Sequence, residues 1–182
     1  MSERNTIFRS MHDLGAAAWF GGSLMGAVGL NGAASDVADP TERARVAAAG
    51  WARWAPVNAA AVGAHLLGGL GLLVANKGRV SSQRGAGANT AAKTALTAAA
   101  AAATAYSGVL GSKIAKAGQT HADAATTPSA RTPDDVSAAQ KQLAGLQWAI
   151  PVLTGLIVVL GSQQGEQQRP SQILRGLVAK AA

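Results

Sequence analysis

The sequence predicts an all-α fold, a four-helix transmembrane bundle with short surface helices, built as a single domain over residues 1–182. Two observations carry this prediction. First, four apolar segments are separated by polar stretches, and each is close to the length at which a helix crosses a hydrocarbon core of about 30 Å. Second, 48% of the residues are hydrophobic and only 14% are charged, a balance unlike that of disordered chains or ordinary soluble proteins.

The four segments are residues 11–30, 56–75, 94–111 and 146–162. Pro56 suits the first turn of the second helix, whereas Pro151 predicts a kink in the fourth helix unless it lies in that helix's first turn. The third segment is rich in alanine and weakly hydrophobic, so it needs neighbouring helices to hold it in the membrane.

The distribution of Lys and Arg predicts the orientation of these helices. Nine of the 16 lie in the N-terminus, in the loop between segments two and three, and in the tail. The other two loops carry seven, which six Asp and Glu offset. Because positive charge marks the cytoplasmic side, we predict a plasma-membrane protein with both termini in the cytoplasm. Trp51, Trp54 and Trp148 would then form an outer aromatic belt.

Three stretches outside the segments have recognisable patterns. Residues 39–46 predict a short surface helix on the outer side, with Asp39 as its N-cap and Pro40 in its first position. Residues 126–135 (TTPSARTPDD) predict an exposed, mobile connection. Residues 163–182 form a cytoplasmic tail that combines apolar and basic residues, which predicts either an amphipathic helix on the inner membrane surface or a disordered tail.

Small residues predict which helix faces meet. Lipid is as apolar as leucine, so membrane helices associate through close backbone approach. On the first segment, small residues recur every three or four positions and include a GxxxG step. The predicted helix-packing residues are Gly15, Ala18, Gly22, Gly26, Gly68 and Gly69.

His65 lies at the midpoint of the second segment and is the main candidate functional residue. An ionisable group at this depth indicates a functional site. If the segment centres share one plane, three hydroxyl residues fall within about 4 Å of it. We therefore predict a midplane polar node made of His65, Ser23, Thr104 and Thr154. In the alternative interpretation, the hydroxyls bond carbonyls of their own helices and His65 is a neutral interhelical donor.

By the same depth argument the other histidines stand apart. His12 would lie about 13 Å from His65 along the helix axis, and His121 falls in an outer loop. Two axial haem ligands must share one depth, and the chain has no Cys and three Met, so we predict no metal site and no bound cofactor. Because His12 and Asp13 are adjacent, they are expected to point to different helix faces rather than to form a dyad.

Catalytic and nucleic-acid motifs are missing from the sequence. It contains no GxSxG, HExxH or GxGxxG pattern, and residues 85–94 lack the glycine that a phosphate loop needs before Lys93. We therefore predict that the protein is not an enzyme. The net charge of +7 permits nucleic-acid binding, but no basic run is interleaved with aromatic residues, so no nucleic-acid partner is predicted.

The stretch from His12 to Gly22 (HDLGAAAWFGG) resembles the first helix of several small bacterial multi-pass families, including copper-resistance D-type membrane domains, in which His and an apolar stretch precede Trp-x-Gly-Gly. The resemblance covers about one helix and implies a small multi-pass membrane protein. The Met- and His-rich features that would imply copper handling are missing. More broadly, the chain is similar to Ala-rich four-helix membrane proteins of high-GC bacteria, and neither resemblance implies a catalytic residue.

The glycine stripe favours an accessory subunit, a scaffold or a homo-oligomer that acts through helix packing. Its predicted partners are membrane lipids and either further copies of the chain or a larger membrane complex. The alternative is a binding or redox protein that holds a quinone, a haem or a proton at His65. A third hypothesis, a small-molecule exporter, lacks an internal repeat and an ion-coupling carboxylate within the helices.

Overall fold

The computed structural model describes residues 5–77 and 84–167, with side chains for 5–77 and 87–163. Helix α1 (Thr6–Met25) continues through a π-helical segment (Gly26–Leu30) into α2 (Asn31–Ser35). Three long helices follow: α3 (Arg43–Ala75), α4 (Arg84–Ala117) and α5 (Asp134–Gln167). A short antiparallel hairpin, β1 (Ala122–Ala124) and β2 (Thr127–Pro128), lies between α4 and α5. The predicted mainly helical fold with four long helical stretches is confirmed.

The long helices extend beyond the apolar segments that predicted them. Helix α3 begins at Arg43 with Glu42 as its N-cap, so the predicted separate surface helix over 39–46 with its N-cap at Asp39 is wrong: residues 39–42 form a turn and residues 43–46 are the first turn of α3. Pro56 consequently lies inside α3 rather than in its first turn, and Pro151 likewise lies inside α5. The amphipathic helix predicted in the tail falls mostly on residues 168–182, which lie outside the described residues.

The four long stretches form a ring of antiparallel neighbours. Helix α1 packs against α3 and α5, and α4 packs against the same two helices. The backbones of the diagonal pairs, α1 with α4 and α3 with α5, do not approach each other. Side chains that cross the centre therefore connect α1 to α4.

Glycines on both helices make the α1–α3 contact unusually close. A Cβ built on Gly15 would lie 2.6 Å from the backbone nitrogen of His65, and one on Gly68 would lie 2.9 Å from Cα of His12. Further along, Gly22 and Gly26 face the indole rings of Trp54 and Trp51, respectively. Trp51 and Trp54 therefore pack against α1, and Trp148 is half exposed, while the predicted outer aromatic belt stays a prediction.

The π-helical segment turns Asn31 toward two other helices. Asn31 accepts a hydrogen bond from Trp51 Nε1 at 3.0 Å and donates one to Gln147 Oε1 at 2.6 Å. Asn31 is buried, and it links the end of α1 to both α3 and α5. A π-helical turn adds a residue to the turn and re-aims the side chains that follow it.

A cap, formed by residues 36–42 and 118–133, covers one end of the bundle. Ala122 is fully buried and its backbone N–H donates to Pro40 O at 3.0 Å, while Arg43 donates to Asp123 O at 2.9 Å. Thr132 donates to His121 O. The predicted exposure of residues 126–135 is confirmed at most positions, but Thr132 is buried and its hydroxyl bonds Ser129 N–H and His121 O. The mobility of this connection stays a prediction.

Glu42 connects the two parts of the cap through hydrogen bonds. Its carboxylate accepts hydrogen bonds from Arg45, at the start of α3, and from Gln119, just after α4. These two donors hold the pKa of the Glu42 carboxyl below its ordinary value of 4.5. The Glu42 carboxylate is therefore charged when it accepts these two hydrogen bonds.

Two helices of the described chain, α3 and α5, are long and apolar enough to cross a membrane. Within their most apolar stretches only 17% and 22% of the residues, respectively, are buried inside the protein. A core helix of a soluble protein would be mostly buried, and exposed apolar surface of this extent is typical of contact with lipid or with another protein.

Candidate functional site

His12 of α1 and His65 of α3 form a stacked pair inside the bundle. Their ring centroids are 4.3 Å apart and the rings are inclined by 36°. Both residues are buried, at 7% and 3% exposure. The predicted axial separation of about 13 Å between these two histidines is therefore wrong.

The close contact of α1 and α3 places the two rings together. Gly15 and Gly68 lie on opposite helices beside the pair, and each meets the partner backbone where any side chain would clash. The antiparallel helices are consequently staggered so that His12, not the centre of the first apolar segment, faces His65. Depth matching between segment centres missed this stagger, because glycine contacts rather than segment midpoints fix the register.

Hydrogen bonds engage both ring nitrogens of His65. Its Nδ1 lies 3.1 Å from the carbonyl oxygen of His12, which can only accept, so Nδ1 carries a proton and donates it. Its Nε2 lies 3.2 Å from Thr97 Oγ1 on α4. In neutral His65, Nε2 accepts from the hydroxyl; in protonated His65, Nε2 donates to the same oxygen. The ring can therefore gain or lose a proton without moving.

Asp13 and Lys93 add opposite charges at this level. His12 Nδ1 lies 2.7 Å from Asp13 Oδ1, so the expectation that these adjacent residues would point apart is wrong. The charges of both Asp13 and Lys93 act on His12 and His65. Lys93 belongs to α4, and its Nζ lies against Gly161 of α5.

Trp19 joins the histidine pair to α4. Its side chain is fully buried, and its ring centroid lies 6.1 Å from that of His65 in an edge-on arrangement. Its Nε1 donates to Thr104 Oγ1 at 3.1 Å, across the diagonal of the bundle. In the sequence, Trp19 stands out only as part of the stretch that resembles other families. An aromatic residue beside glycines does not indicate which side chain it will contact.

The described hydrogen bonds do not join the four residues of the predicted polar node. Ser23 donates to Phe20 O at 2.9 Å, and Thr154 donates to Ile150 O at 2.8 Å, both within their own helices. Thr104 reaches the site indirectly, through Trp19. Thr97 is the hydroxyl that contacts His65. His12, Asp13, Lys93 and Thr97 are thus the site residues that sequence reasoning missed.

The predicted helix-packing residues have mixed positions. Gly15, Gly22, Gly26 and Gly68 lie in the α1–α3 contact, and a Cβ on Gly69 would lie 3.4 Å from the His12 ring. Ala18 is exposed, one residue before Trp19 turns inward. The spacing rule selected the correct stripe of α1 apart from this position.

The histidine pair does not suit a haem. Bis-histidine ligation requires nitrogens that face each other across the porphyrin plane, whereas these rings stack 4.3 Å apart and both nitrogens of His65 are engaged. Across residues 5–77 and 84–167, no group of three or more His, Cys, Asp or Glu is placed to hold a metal ion. The described contacts of the pair are hydrogen bonds and imidazole stacking.

No family model, no curated protein and no solved structure matches the chain.

Proposed function

We propose that the chain is a four-helix membrane protein of the bacterial plasma membrane and that its histidine pair binds an exchangeable proton within the bilayer. The membrane assignment is supported by the apolar side chains on the outer surface. Exposed Leu, Val and Met side chains cover that surface, while the interior holds many alanines, larger apolar residues such as Trp19 and Ile157, and buried polar residues such as His65 and Thr154.

Uncharged stretches in all four long helical stretches support the same proposal. Residues 14–35, 54–76, 94–112 and 142–165 contain no Asp, Glu, Lys or Arg, and the shortest of these stretches is long enough to cross the hydrocarbon core. His65 lies near the centre of the stretch in α3. The stagger offsets these stretches in depth, because Asp13 and Lys93, which border the stretches of α1 and α4, lie near the histidine pair at the centre of the α3 stretch. A membrane centred on His65 therefore encloses both charges, where ionisable groups are costly and mark functional positions.

The orientation is testable because the chain has no native cysteine. Single cysteines at Lys77, between α3 and α4, and at Asp123, in the cap, report on the two ends of the bundle. With both termini in the cytoplasm, a membrane-impermeant maleimide labels Asp123→Cys in intact cells and labels Lys77→Cys only after lysis. The unsubstituted chain is the blank. Labelling of both positions, or of neither, in intact cells while both react after lysis would contradict the topology.

The stack of two imidazoles carries the functional proposal. Two imidazolium charges 4.3 Å apart repel by about 4 kcal/mol at an effective dielectric constant of about 20. Lys93 adds a further positive charge, and Asp13 offsets part of it. The pair therefore exchanges one proton at a time, and the Thr97 hydroxyl accommodates either state of His65. Such a site suits a proton relay or a proton-dependent switch.

Nitrogen-15 NMR of histidine in nanodisc-embedded protein tests this proposal. Because the two rings are coupled, their titration between about pH 4 and pH 9 is expected to show two separated steps shared by both residues. In His12→Phe, which keeps an aromatic ring beside His65, the titration of His65 is expected to become a single step with a different midpoint.

His121→Phe is the matched control, because His121 is the third histidine and lies in the cap. This variant should leave both shared steps unchanged. The proposal is wrong if His65 titrates with the same midpoint in the native chain and in His12→Phe, or if neither ring of the pair changes protonation over this range.

The scaffold or homo-oligomer prediction loses its original support. Gly15, Gly22 and Gly26 contact α3 of the same chain, so the stripe is already occupied. Assembly with further copies or with other subunits stays a prediction.

A further inference from the structure

Buried polar atoms that the histidine pair does not use lie on α3 and α4. Asn58 Oδ1 and Ser107 Oγ are buried without a hydrogen-bond partner in the part of the chain that the structure describes. Thr104 Oγ1 accepts the indole N–H of Trp19, and none of the described hydrogen bonds uses the O–H of Thr104 as a donor. Leaving a buried polar atom unpaired is costly, so these atoms together indicate an additional partner.

The register of α3 and α4 brings these atoms to neighbouring levels. The hydrogen bond between His65 and Thr97 fixes one level. The two helices are antiparallel, so matching levels are found by counting backward along α3 and forward along α4. Seven residues before His65 and seven after Thr97 lie Asn58 and Thr104, about 10 Å along the bundle from the first pair and on the same helix faces. Ser107 follows one turn later on α4. The α3–α4 contact is also the least closely packed of the four helix contacts in the ring.

Apolar layers bound this polar level on both sides. Between it and the histidine pair, one buried cluster contains Trp19, Ala100 and Ile150. Between it and the cap, a second buried cluster contains Leu110 and Ile114 of α4. The level is thus an enclosed polar layer in an otherwise apolar interior.

We propose that Asn58, Thr104 and Ser107 form an internal water-binding site, separated from the histidine pair by Trp19. One water molecule can donate to Asn58 Oδ1 and Ser107 Oγ and accept the O–H of Thr104, which satisfies all three groups. Three protein partners is the usual number for a buried water. The site is independent of the proposed proton exchange, because Trp19 and an apolar layer separate it from His65.

Water-to-protein magnetisation transfer tests the site in nanodisc-embedded full-length chain. The reporter is the indole N–H of Trp19, assigned by its loss in Trp19→Phe. We expect a water cross-peak at this proton in the native chain and at least a fivefold loss in Asn58→Leu, which has similar volume but no amide. Val57→Leu, on the half-exposed neighbouring position, should retain the cross-peak.

Two further measurements make each outcome decisive. Cross-peaks between the His12 and His65 rings report whether Asn58→Leu keeps the native fold. If it does not, Thr104→Val replaces it, and the water cross-peaks are read at the backbone amides of residues 104–107. No water cross-peak in the native chain, or an undiminished one in the folded variant, overturns the water site. Histidine titration on the same samples separates the proposals: normal titration without bound water overturns the site alone, and bound water without titration overturns the proton-binding function alone.

Discussion

Replacing Gly15 by alanine is expected to lower the free energy of unfolding by about 3 kcal/mol. The added Cβ would lie 2.6 Å from the backbone nitrogen of His65 and would overlap Ala61 O. Backbone atoms inside a helix cannot move aside as a flexible side chain can, so α1 and α3 must separate along their whole contact. Denaturant titration in detergent, followed by the fluorescence of Trp19, Trp51 and Trp54, measures the loss.

Gly21→Ala is the matched control in the same helix. A Cβ on Gly21 meets nothing within 4 Å, so this substitution should leave stability unchanged or raise it by about 0.5–1 kcal/mol, the ordinary helix preference for alanine over glycine. Equal stability of the two variants would show that the glycines do not set the distance between α1 and α3.

The positions of the helices were predictable, but their mutual register was not. Hydropathy marks which residues can lie in the membrane, and the four segments all fall inside long helices. Hydropathy says little about axial offset, because apolar side chains tolerate many depths in a uniform hydrocarbon layer. The offset depends on which backbones can touch, and Gly15 and Gly68 decide it. The stacking of His12 on His65 follows from those two contacts and could not be obtained from segment midpoints.

The hydrogen-bond partners of Ser and Thr residues were equally hard to predict from the sequence. Ser23, Thr104 and Thr154 were predicted to share a plane with His65, but a helical Ser or Thr can always bond a carbonyl three or four residues earlier. Ser23 and Thr154 do so, whereas Thr104 accepts the Trp19 indole. Only the packing of Trp19 distinguishes these cases. The hydrogen bonds of the cap were missed for a related reason, since Thr132 and Arg43 bond carbonyls that composition does not reveal.

Trp19→Ala is expected to cost about 4 kcal/mol of unfolding free energy, the usual loss when a buried tryptophan leaves a cavity. Trp19 is fully buried and touches three helices through its ring, its contact with His65 and its bond to Thr104. Trp148→Ala is the control, because Trp148 is half exposed and its removal opens no internal cavity, so its cost should stay below about 1 kcal/mol. Denaturant titration, read by circular dichroism, compares the two.

A double-mutant cycle separates the packing of Trp19 from its hydrogen bond. Trp19→Phe keeps a ring and removes the indole N–H, and Thr104→Val keeps the volume and removes the acceptor. If the bond across the bundle contributes as interhelical bonds in membranes usually do, the two changes couple by about 0.6 kcal/mol. The remaining cost of Trp19→Ala then belongs to cavity formation between the histidine pair and the polar layer of α3 and α4. A coupling free energy near zero, with the full loss of unfolding free energy in Trp19→Ala, would show that Trp19 stabilises the protein by packing alone. Thr104 would then bond a partner other than Trp19.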